Sequence, residues 1–168
     1  RMKGIGLITR EQAINFSLSG PSGRASGWAN DVRKNDPYAA YDKVEFKQAL
    51  RTGGDVYDRY MIRFDEILES IHIIEQLIDN IPEGDIQVKT KPIMRLPEGE
   101  YYSRVETARG DFGVYIESRG DKMPYRLKYR STCLPPVSIL DTVCRGHKIA
   151  DLIAIGASLD YIVPEIDR

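Results

Sequence analysis

Hydrophobic residues recur at steps of three and four positions between residues 56 and 81, and this spacing predicts a long helix. Asp55 can cap its first turn, whereas Asn80 and Pro82 are residues that end helices. A helix of this length would cross a whole small domain, because each residue advances it by ~1.5 Å. The apolar face of the predicted helix consists of Tyr57, Tyr60, Met61, Phe64, Ile67, Leu68, Ile71, Ile74, Leu77 and Ile78.

The period of the pattern changes to two between residues 101 and 130, which is typical of β-strands. Two copies of the tripeptide Arg-Gly-Asp, at 109–111 and 119–121, fall where hairpins must turn, and Gly-Asp is a favoured turn pair. These positions favour a turn over the cell-adhesion role of the same tripeptide. We therefore predict a three-stranded antiparallel meander whose exposed face carries the basic side chains of Arg126, Lys128 and Arg130.

The remaining segments are shorter. Thr9 can cap a helix over residues 10–18, and the small residues of 19–27 predict a loop without the Gly-Lys-Ser/Thr ending of a phosphate-binding loop. The other predicted elements are a strand-like piece at 43–46, a connecting loop at 83–99, and helices at 137–145 and 149–157. The predicted class is therefore α+β, with a long central helix, a meander and a helical C-terminal part. The length fits a single domain over residues 1–168.

Composition and charge exclude several classes of function. The formal net charge is −1 and the isoelectric point about 6.2, so the chain has no basic footprint for nucleic acid or an anionic membrane surface. The longest apolar run, residues 149–159, is interrupted by Asp151 and Gly156 and is shorter than the ~18 residues of a transmembrane helix. We therefore expect no nucleic-acid partner and no membrane span.

Few residues suggest chemistry on their own. Cys133 and Cys144 lie eleven positions apart, which fits neither a CxxC pair nor a disulfide framework, so both are predicted to be small buried hydrophobic residues. His72 shares the polar face of the predicted long helix and is expected to be solvated. His147 has no carboxylate or nucleophile beside it in the sequence. These residues alone predict a soluble α+β protein without a recognisable triad, paired-carboxylate site or metal cluster.

Four stretches, in this order, resemble one family. They are GPSGRASGWANDVRKNDPYAAYD (20–42), GDVYDRYMIRFDEILESIHIIEQLIDNIPEG (54–84), YYSRVETARGDFGVYIESRGDKMPYRLKYRS (101–131) and KIADLIAIGASLDYIVPEIDR (148–168). The family is the 49-kDa or D subunit of respiratory complex I, which is homologous to the large subunit of membrane-bound nickel–iron hydrogenases. The resemblance implies that this chain is the C-terminal part of a longer, hydrogenase-like large subunit.

The end of the chain departs from the hydrogenase pattern. Hydrogenases of this family end near Asp-Pro-Cys-x-x-Cys, and those cysteines hold nickel and iron. When the sequences are aligned on 158–160, Tyr161 takes the proline position, and Ile162 and Glu165 take the two cysteine positions. Because an isoleucine side chain has no lone pair to offer a metal, the resemblance implies that this chain cannot build the nickel–iron centre and holds no metal. Since the chain has no cysteine cluster of its own, we also expect it to hold no iron–sulfur cluster.

In complex I the same hollow is the inner end of the quinone chamber. The resemblance therefore implies that Ile162 lines the chamber, and that Asp160 and Arg168 belong to its polar network. Arg24 and Arg33 are expected instead to brace the glycine-rich segment or a contact between subunits. No residue of this chain is predicted to be catalytic in itself, because the family's histidine and tyrosine near the quinone headgroup come from the N-terminal half.

The function implied is that of a subunit of a proton-pumping NADH-quinone oxidoreductase. Quinone would be the substrate, NAD would bind elsewhere in the complex, and electrons would come from an iron–sulfur cluster of a neighbouring subunit. The expected partners are that iron–sulfur subunit, other peripheral-arm subunits and a membrane-arm subunit. The expected location is peripheral, on the cytoplasmic side of the membrane or the matrix side in mitochondria, and the chain alone is expected to be inactive.

Two alternatives remain open at the level of sequence. Residues 24–41 also resemble the membrane-bound hydrogenase branch, and residues 130–140 depart from the Ser-Pro-Ser/Gly-Phe pattern common in complex I. The chain could therefore belong to a related energy-converting complex that takes electrons from ferredoxin or a deazaflavin. It could also be a docking piece without chemistry of its own.

Overall fold

The computed structural model describes residues 1–166 and has the predicted α+β composition. The elements are α1 (Arg10–Asn15), α2 (Gly20–Arg24), α3 (Val32–Asn35), α4 (Val56–Ile78), β1 (Gly99–Thr107), β2 (Gly110–Ser118), β3 (Arg126–Arg130), α5 (Leu134–Cys144), α6 (Ile149–Leu159) and α7 (Val163–Ile166). Within residues 1–166, no helix combines the length and the apolar composition needed to cross a membrane.

The long helix α4 is confirmed, and Asp55 caps it by accepting a hydrogen bond from the Asp58 backbone N–H at 2.8 Å. The side of α4 that is buried differs from its apolar face. Buried residues along α4 are Val56, Arg59, Ile62 and Ile73. Most of the predicted apolar face is exposed, by 47 to 67% at Tyr60, Phe64, Ile67, Leu68, Ile71, Ile74 and Ile78. We call these seven residues the apolar stripe of α4.

The strand predicted at residues 43–46 is wrong. This segment has no regular secondary structure, and it hydrogen-bonds to a helix side chain. The Glu45 backbone N–H donates to Gln76 Oε1 at 2.9 Å, and the Glu45 carbonyl accepts from Gln76 Nε2 at 2.7 Å. The side chains that pack together at this contact are Val44, Phe46 and Ile73.

The meander is confirmed as one antiparallel sheet in the order β1-β2-β3. Arg126 and Lys128 are exposed as predicted, but Arg130 is half-buried and donates to the Asp111 carbonyl. The opposite face is not covered either, because Leu127 and Tyr129 are 43 and 42% exposed. The predicted connecting loop is confirmed, since β1 begins only at residue 99.

The segment predicted as a loop at residues 19–27 contains a short helix, α2, whose five residues are all buried. Pro21 lies in its first turn, where the missing backbone N–H is not needed for a helical hydrogen bond. Thr9 caps α1 as predicted, but α1 ends at Asn15 and the backbone at Ser17 turns left-handed, with φ +56°.

The main core lies where α1, α4, α5 and α6 meet. Helix α5 begins at Leu134, three residues before its predicted start, and α6 ends at Leu159, two residues beyond its predicted end. The buried side chains of this core are Ile8, Ala13, Leu18, Val56, Ile139, Val143, Ile155 and Leu159. The core therefore fixes the C-terminal end of α6 against α4.

Candidate functional site

The candidate site lies at the C-terminal end of α6, where the turn between β1 and β2 approaches α4. Asp160 ends α6 in the left-handed conformation, with φ +54°. Arg109, in the turn, donates from Nε to the Asp160 carbonyl at 3.0 Å and lies 3.4 Å from its Oδ2. The hairpin turn thus holds the end of α6 through both the backbone and the carboxylate of Asp160.

Two cavities adjoin this point. The first, of about 400 Å³, is here called the charged cavity. The ionisable residues of its wall are Arg24, Arg33, Arg63, Glu66, Glu106 and Asp160. The second, of about 430 Å³, is here called the apolar cavity, and most of its wall comes from Met2, Val56, Tyr60, Ala154 and Ala157. Arg63 and Asp160 line both cavities and therefore lie between them.

A buried ion-pair network forms one wall of the charged cavity. The Arg24 side chain is 2% exposed and lies at its centre. Its Nε donates to Glu66 at 2.8 Å, and its Nη1 donates to Glu106 at 2.7 Å and to the Asn30 carbonyl at 3.0 Å. Arg24 thereby ties α2 to α4 and β1, which braces the glycine-rich segment.

Asp31 completes this network from the start of α3. It is fully buried and accepts two hydrogen bonds from the Arg33 guanidinium, at 2.9 and 2.7 Å. Although burial raises its pKa, the hydrogen bonds from Arg33 and the charge of Arg24 bring the pKa of Asp31 below its ordinary value. Burial raises the pKa of Glu106, and the charge of Arg24 offsets only part of this.

Two arginines of α4 support the site and were missed from the sequence. Arg59 is fully buried and donates to Ser158 Oγ at 2.9 Å and to the Gly6 and Gly54 carbonyls at 2.8 and 2.7 Å. Burial lowers the pKa of Arg59 to about 10. Arg63 donates to the Ser158 carbonyl at 2.9 Å, and burial lowers its pKa despite the nearby Asp160. No signal in the sequence indicated Arg59, because the buried residues on either side of it, Val56 and Ile62, lie outside the predicted apolar face of the helix.

The sequence matches the model of a family described as "Respiratory-chain NADH dehydrogenase, 49 Kd subunit", over residues 1–96 and 89–168. The chain belongs to this 49-kDa subunit family. The family membership predicted from the four sequence stretches is therefore confirmed.

The curated relatives that this chain matches are much longer than the chain itself. The C/D subunit of the NADH-quinone oxidoreductase of Bacteroides fragilis is 66% identical over 168 residues, which make up 100% of this chain and 32% of the relative. The D subunit of the same enzyme in Dehalococcoides mccartyi is 45% identical over 168 residues, which make up 100% of this chain and 46% of the relative. The chain thus spans about a third to a half of the length of these curated relatives.

A solved structure has the same fold. A chain of the membrane-bound sulfane sulfur reductase, an archaeal respiratory membrane complex, matches with a TM-score of 0.93 and 38% sequence identity. The match covers 100% of this chain and 47% of the other. It confirms the predicted fold class.

The structure describes two of the three predicted chamber residues, Asp160 and Ile162, and places them differently. Asp160 lines both cavities, whereas Ile162 lies on the link between α6 and α7 and is 40% exposed. Within residues 1–166, the walls of the charged and apolar cavities are formed without Ile162. Arg168 lies outside the described residues, so its predicted role in the polar network stays a prediction.

Ile162 and Glu165, which were aligned with the two hydrogenase cysteines, both contact Cys133. The Cys133 thiol donates to the Glu165 carboxylate at 2.9 Å, and the Ile162 backbone N–H donates to Cys133 Sγ at 3.3 Å. Cys133 is fully buried as predicted, and Cys144 is half-buried; both are free thiols. Over residues 1–166, no group of three or more histidine, cysteine, aspartate or glutamate side chains could hold a metal ion.

Glu165 fastens α7 to the start of α5. Besides the Cys133 thiol, its carboxylate accepts hydrogen bonds from the Thr132 backbone and hydroxyl at 2.7 and 2.9 Å and from the Ser131 hydroxyl at 3.1 Å. Burial acts to raise its pKa, but these hydrogen bonds prevail and lower the pKa of Glu165 to about 2. A carboxylate with this many donors stabilises the fold only in its charged form.

We expect this carboxylate to make the stability of the chain depend on acid pH. Its pKa is about 2 in the folded chain, against an ordinary value of 4.5, so its contribution is complete above pH 4.5 and is lost as the pH falls towards 2. Urea unfolding at several pH values should show that Glu165→Gln is less stable than the wild type at pH 7 and that the difference disappears in acid. Asp121→Asn, in an exposed loop, should follow the wild type. A constant difference between Glu165→Gln and the wild type would contradict the prediction.

Proposed function

We propose that this chain forms part of the quinone chamber of a membrane-associated NADH-quinone oxidoreductase of the complex I type. The observation that supports the proposal is the position of Asp160 and Arg63 between an apolar and a charged cavity. A quinone needs both surroundings, since its ring is apolar while its reduction to quinol consumes two protons. This chain offers an apolar and a charged cavity on either side of Arg63 and Asp160, so it suits this reaction.

The apolar cavity is suited to the ring. Its volume of about 430 Å³ lies within the range of ~300–1,000 Å³ of small-molecule sites. Tyr60 and Met2 line this cavity, and both side chains can pack against a planar ring. Arg63 lies where a quinone oxygen would meet the charged cavity, and its positive charge would stabilise the negative charge that develops on that oxygen during reduction.

Asp160 is suited to organise the protons. A carboxylate beside Arg109 and Arg63 can accept a hydrogen bond from a quinol hydroxyl and hold the headgroup in place. Ile162, on the link that follows Asp160, would contact the quinone farther from the headgroup. Arg168 would extend the polar network beyond the described residues.

The proposal includes partners for the steps that this chain does not carry out. An iron–sulfur subunit would deliver the electrons, and NAD would bind to another peripheral-arm subunit. A membrane-arm subunit would receive the quinone tail. This chain would lie peripherally, on the cytoplasmic side of the membrane or the matrix side in mitochondria. Relatives named NADH-quinone oxidoreductase subunits, at up to 66% identity, support this assignment.

The test uses Asp160→Asn in the intact complex. Asparagine tolerates the left-handed backbone, so the substitution removes the charge without adding strain. We expect a loss of quinone reductase activity of roughly tenfold, or about 1.4 kcal/mol in the activation free energy. NADH oxidation with an artificial acceptor that bypasses quinone should not change. Asp141→Asn, on the exposed side of α5, is the matched control.

Ile162→Met tests the wall of the chamber in the same assay. A longer, flexible side chain at this position should change the affinity for quinone-analogue inhibitors while leaving the bypass activity intact. If both Asp160→Asn and Ile162→Met leave quinone reductase activity and inhibitor affinity unchanged, the chamber assignment is wrong.

A second candidate function is favoured by the structural comparison. The same fold, at a TM-score of 0.93, occurs in a membrane-bound sulfane sulfur reductase, so the two cavities could serve a different electron acceptor. Ferredoxin or a deazaflavin would then be candidates for the donor. Reduction of sulfane sulfur, but not of quinone, by the purified complex would favour this candidate. A complex that assembles but reduces neither acceptor would favour the docking role.

A further inference from the structure

We propose that His147 is a positioning residue, which holds residues 1–8 in place and thereby sets the shape of the apolar cavity for quinone. Residues 1–8 are here called the N-terminal segment. This inference rests on the proposed function and extends it to a residue outside the walls of both cavities, as residues 1–166 form them. The role concerns the binding of quinone rather than its reduction.

His147 lies on the link between α5 and α6, and its ring is joined to the N-terminal segment. The Gly6 backbone N–H donates to His147 Nε2 at 3.2 Å, across 141 positions of the chain. Because the backbone N–H is the donor, Nε2 must be the acceptor, and an imidazole nitrogen accepts only when it has no proton. The contact therefore requires the neutral ring, with its proton on Nδ1.

Gly6 has little room to find another partner. It is buried, with φ +60°, and a Cβ at this position would lie 2.8 Å from Ile155 Cγ1 and 3.1 Å from Arg59 Nη2. The backbone here lies between α6 and the Arg59 guanidinium, so its N–H cannot turn towards water unless the segment shifts. A buried backbone N–H without an acceptor is costly. The position of the segment therefore depends on the acceptor that His147 provides.

A chain of hydrogen bonds leads from Gly6 to the apolar cavity. The Gly6 carbonyl accepts from Arg59 Nη2 at 2.8 Å, and Arg59 Nε donates to Ser158 Oγ at 2.9 Å. Ser158 lines the apolar cavity, and its carbonyl accepts from Arg63 Nη2 at 2.9 Å. A shift of Gly6 would therefore move the Arg59 side chain, and the residues of the cavity wall that it contacts would move with it.

The N-terminal segment also reaches the apolar cavity directly. Met2 forms part of the wall, and Val56, another wall residue, donates its backbone N–H to the Ile5 carbonyl at 3.0 Å. The Ile5 contact fastens the segment to the start of α4, whereas the His147 contact fastens it to the link that leads into α6. These two helices, with Asp160 at the end of α6, form the rest of the wall. The two contacts together set where the segment lies against the cavity.

Acid is expected to break the His147 contact. An imidazolium has no acceptor nitrogen, so its Nε2–H would face the Gly6 N–H. Histidine side chains generally change charge between pH ~5 and ~8. The charged groups on the elements around the link are Arg1, Asp55, Arg59, Asp141, Arg145, Lys148 and Asp151. Of these, Asp141 pairs with Arg145 and Asp151 pairs with Arg1. The contact is therefore present at neutral pH and lost as the pH falls through this range.

The first test measures the pH dependence of quinone binding by the intact complex, with a short-chain quinone as substrate and a quinone-analogue inhibitor. In the wild type, the KM for the quinone and the Kd of the inhibitor should rise at least about threefold between about pH 7.5 and about pH 5.5. In His147→Gln both should keep their neutral values, because the glutamine carbonyl accepts a hydrogen bond and does not titrate. In His147→Leu, which has no acceptor, both should be raised at every pH. The kcat at saturating quinone should change by less than about twofold in both variants.

His72→Gln is the matched control. His72 is the other of the two histidines of the chain, and it is exposed on α4. This variant should show the same rise of KM and Kd in acid as the wild type. Loss of that rise in His72→Gln would assign the pH dependence to the wrong histidine and overturn the inference.

The second test does not depend on quinone turnover. Deuterium uptake by a peptide that covers residues 4–8, measured by mass spectrometry on the intact complex, reports how firmly the N-terminal segment is held. At neutral pH, uptake should be equal in the wild type and His147→Gln and faster in His147→Leu. At acid pH, uptake should be faster in the wild type than in His147→Gln. Comparison at the same pH removes the intrinsic pH dependence of exchange.

The outcomes separate this inference from the proposed function. If uptake changes as expected but KM and Kd do not, His147 holds the segment without shaping the cavity, and the inference is wrong. It is also wrong if His147→Gln behaves as His147→Leu, because the contact then needs more than a neutral acceptor. If His147→Leu does not assemble, the comparison of the wild type with His147→Gln in acid decides. If the complex does not reduce quinone, the proposed function fails, and uptake still decides whether His147 holds the segment.

Discussion

Arg24→Met is expected to lower the free energy of unfolding by about 3–5 kcal/mol, because it leaves buried carboxylates without their main cation. Arg24 is the shared partner of Glu66 and Glu106, and its guanidinium joins α2, α4 and β1. Methionine retains much of the apolar volume of the arginine stem, so the effect reports the charge and the hydrogen bonds. Asp31 keeps Arg33 as a partner, which limits the loss to the other two carboxylates.

The measurement is urea unfolding of the chain, with Arg145→Met as the control. Arg145 pairs with Asp141 one helical turn away, but both side chains are at least 75% exposed. Water screens exposed pairs of this kind, so the same chemical change should have little effect there. Equal losses in the two variants would show that the network around Arg24 contributes no more than a surface ion pair.

Gly110→Ala should destabilise the chain by about 2–4 kcal/mol, through backbone strain and a steric clash together. Gly110 has φ +124°, and a Cβ there would lie 2.5 Å from Ser19 Oγ and 2.7 Å from the Gly20 backbone nitrogen. The hairpin turn would have to move away from α2. Arg109, the neighbouring residue, would then lose its contacts with Asp160.

The second Arg-Gly-Asp copy provides a matched control. Gly120 also has a positive φ, of +80°, but a Cβ there would meet no atom within 4 Å. Gly120→Ala should therefore cost only the backbone strain, about 1 kcal/mol. Thermal unfolding of both variants measures the difference, and an equal loss at the two glycines would mean that the docking of the first turn on α2 adds no stability.

The regular elements could be predicted from the sequence because their periods are long and uninterrupted. Helix α4 and the three strands follow from residue spacing alone. The side of α4 that packs inward could not be predicted in the same way. The apolar stripe of α4 gives the stronger pattern, yet the chain buries the side with Arg59, whose guanidinium satisfies the Gly6 and Gly54 carbonyls. Those carbonyls belong to loops whose approach no periodicity indicates.

The candidate site was accessible to prediction only in part. Asp160 came from the family resemblance, whereas Arg63, Glu106 and Arg109 were not predicted to lie beside it. Arg109 and Asp160 are fifty-one positions apart, and the first Arg-Gly-Asp copy indicated a turn but not what the turn contacts. The strand predicted at residues 43–46 was wrong for a related reason, because Glu45 hydrogen-bonds to Gln76, which is remote in sequence and lies on α4. Contacts between remote segments depend on the assembled fold rather than on local pattern.

The register of the β1–β2 hairpin limits which insertions and deletions the chain can accept near the site. Glu106 on β1 lines the charged cavity, and Arg109, three residues later in the turn, contacts Asp160 in the same wall. Side chains alternate between the faces of a sheet, so one inserted residue in β1 would turn Glu106 away from Arg24. The loop between β2 and β3, residues 119–125, is largely exposed and carries no such constraint. Insertions and deletions among relatives should therefore accumulate in the second loop and be excluded from the first.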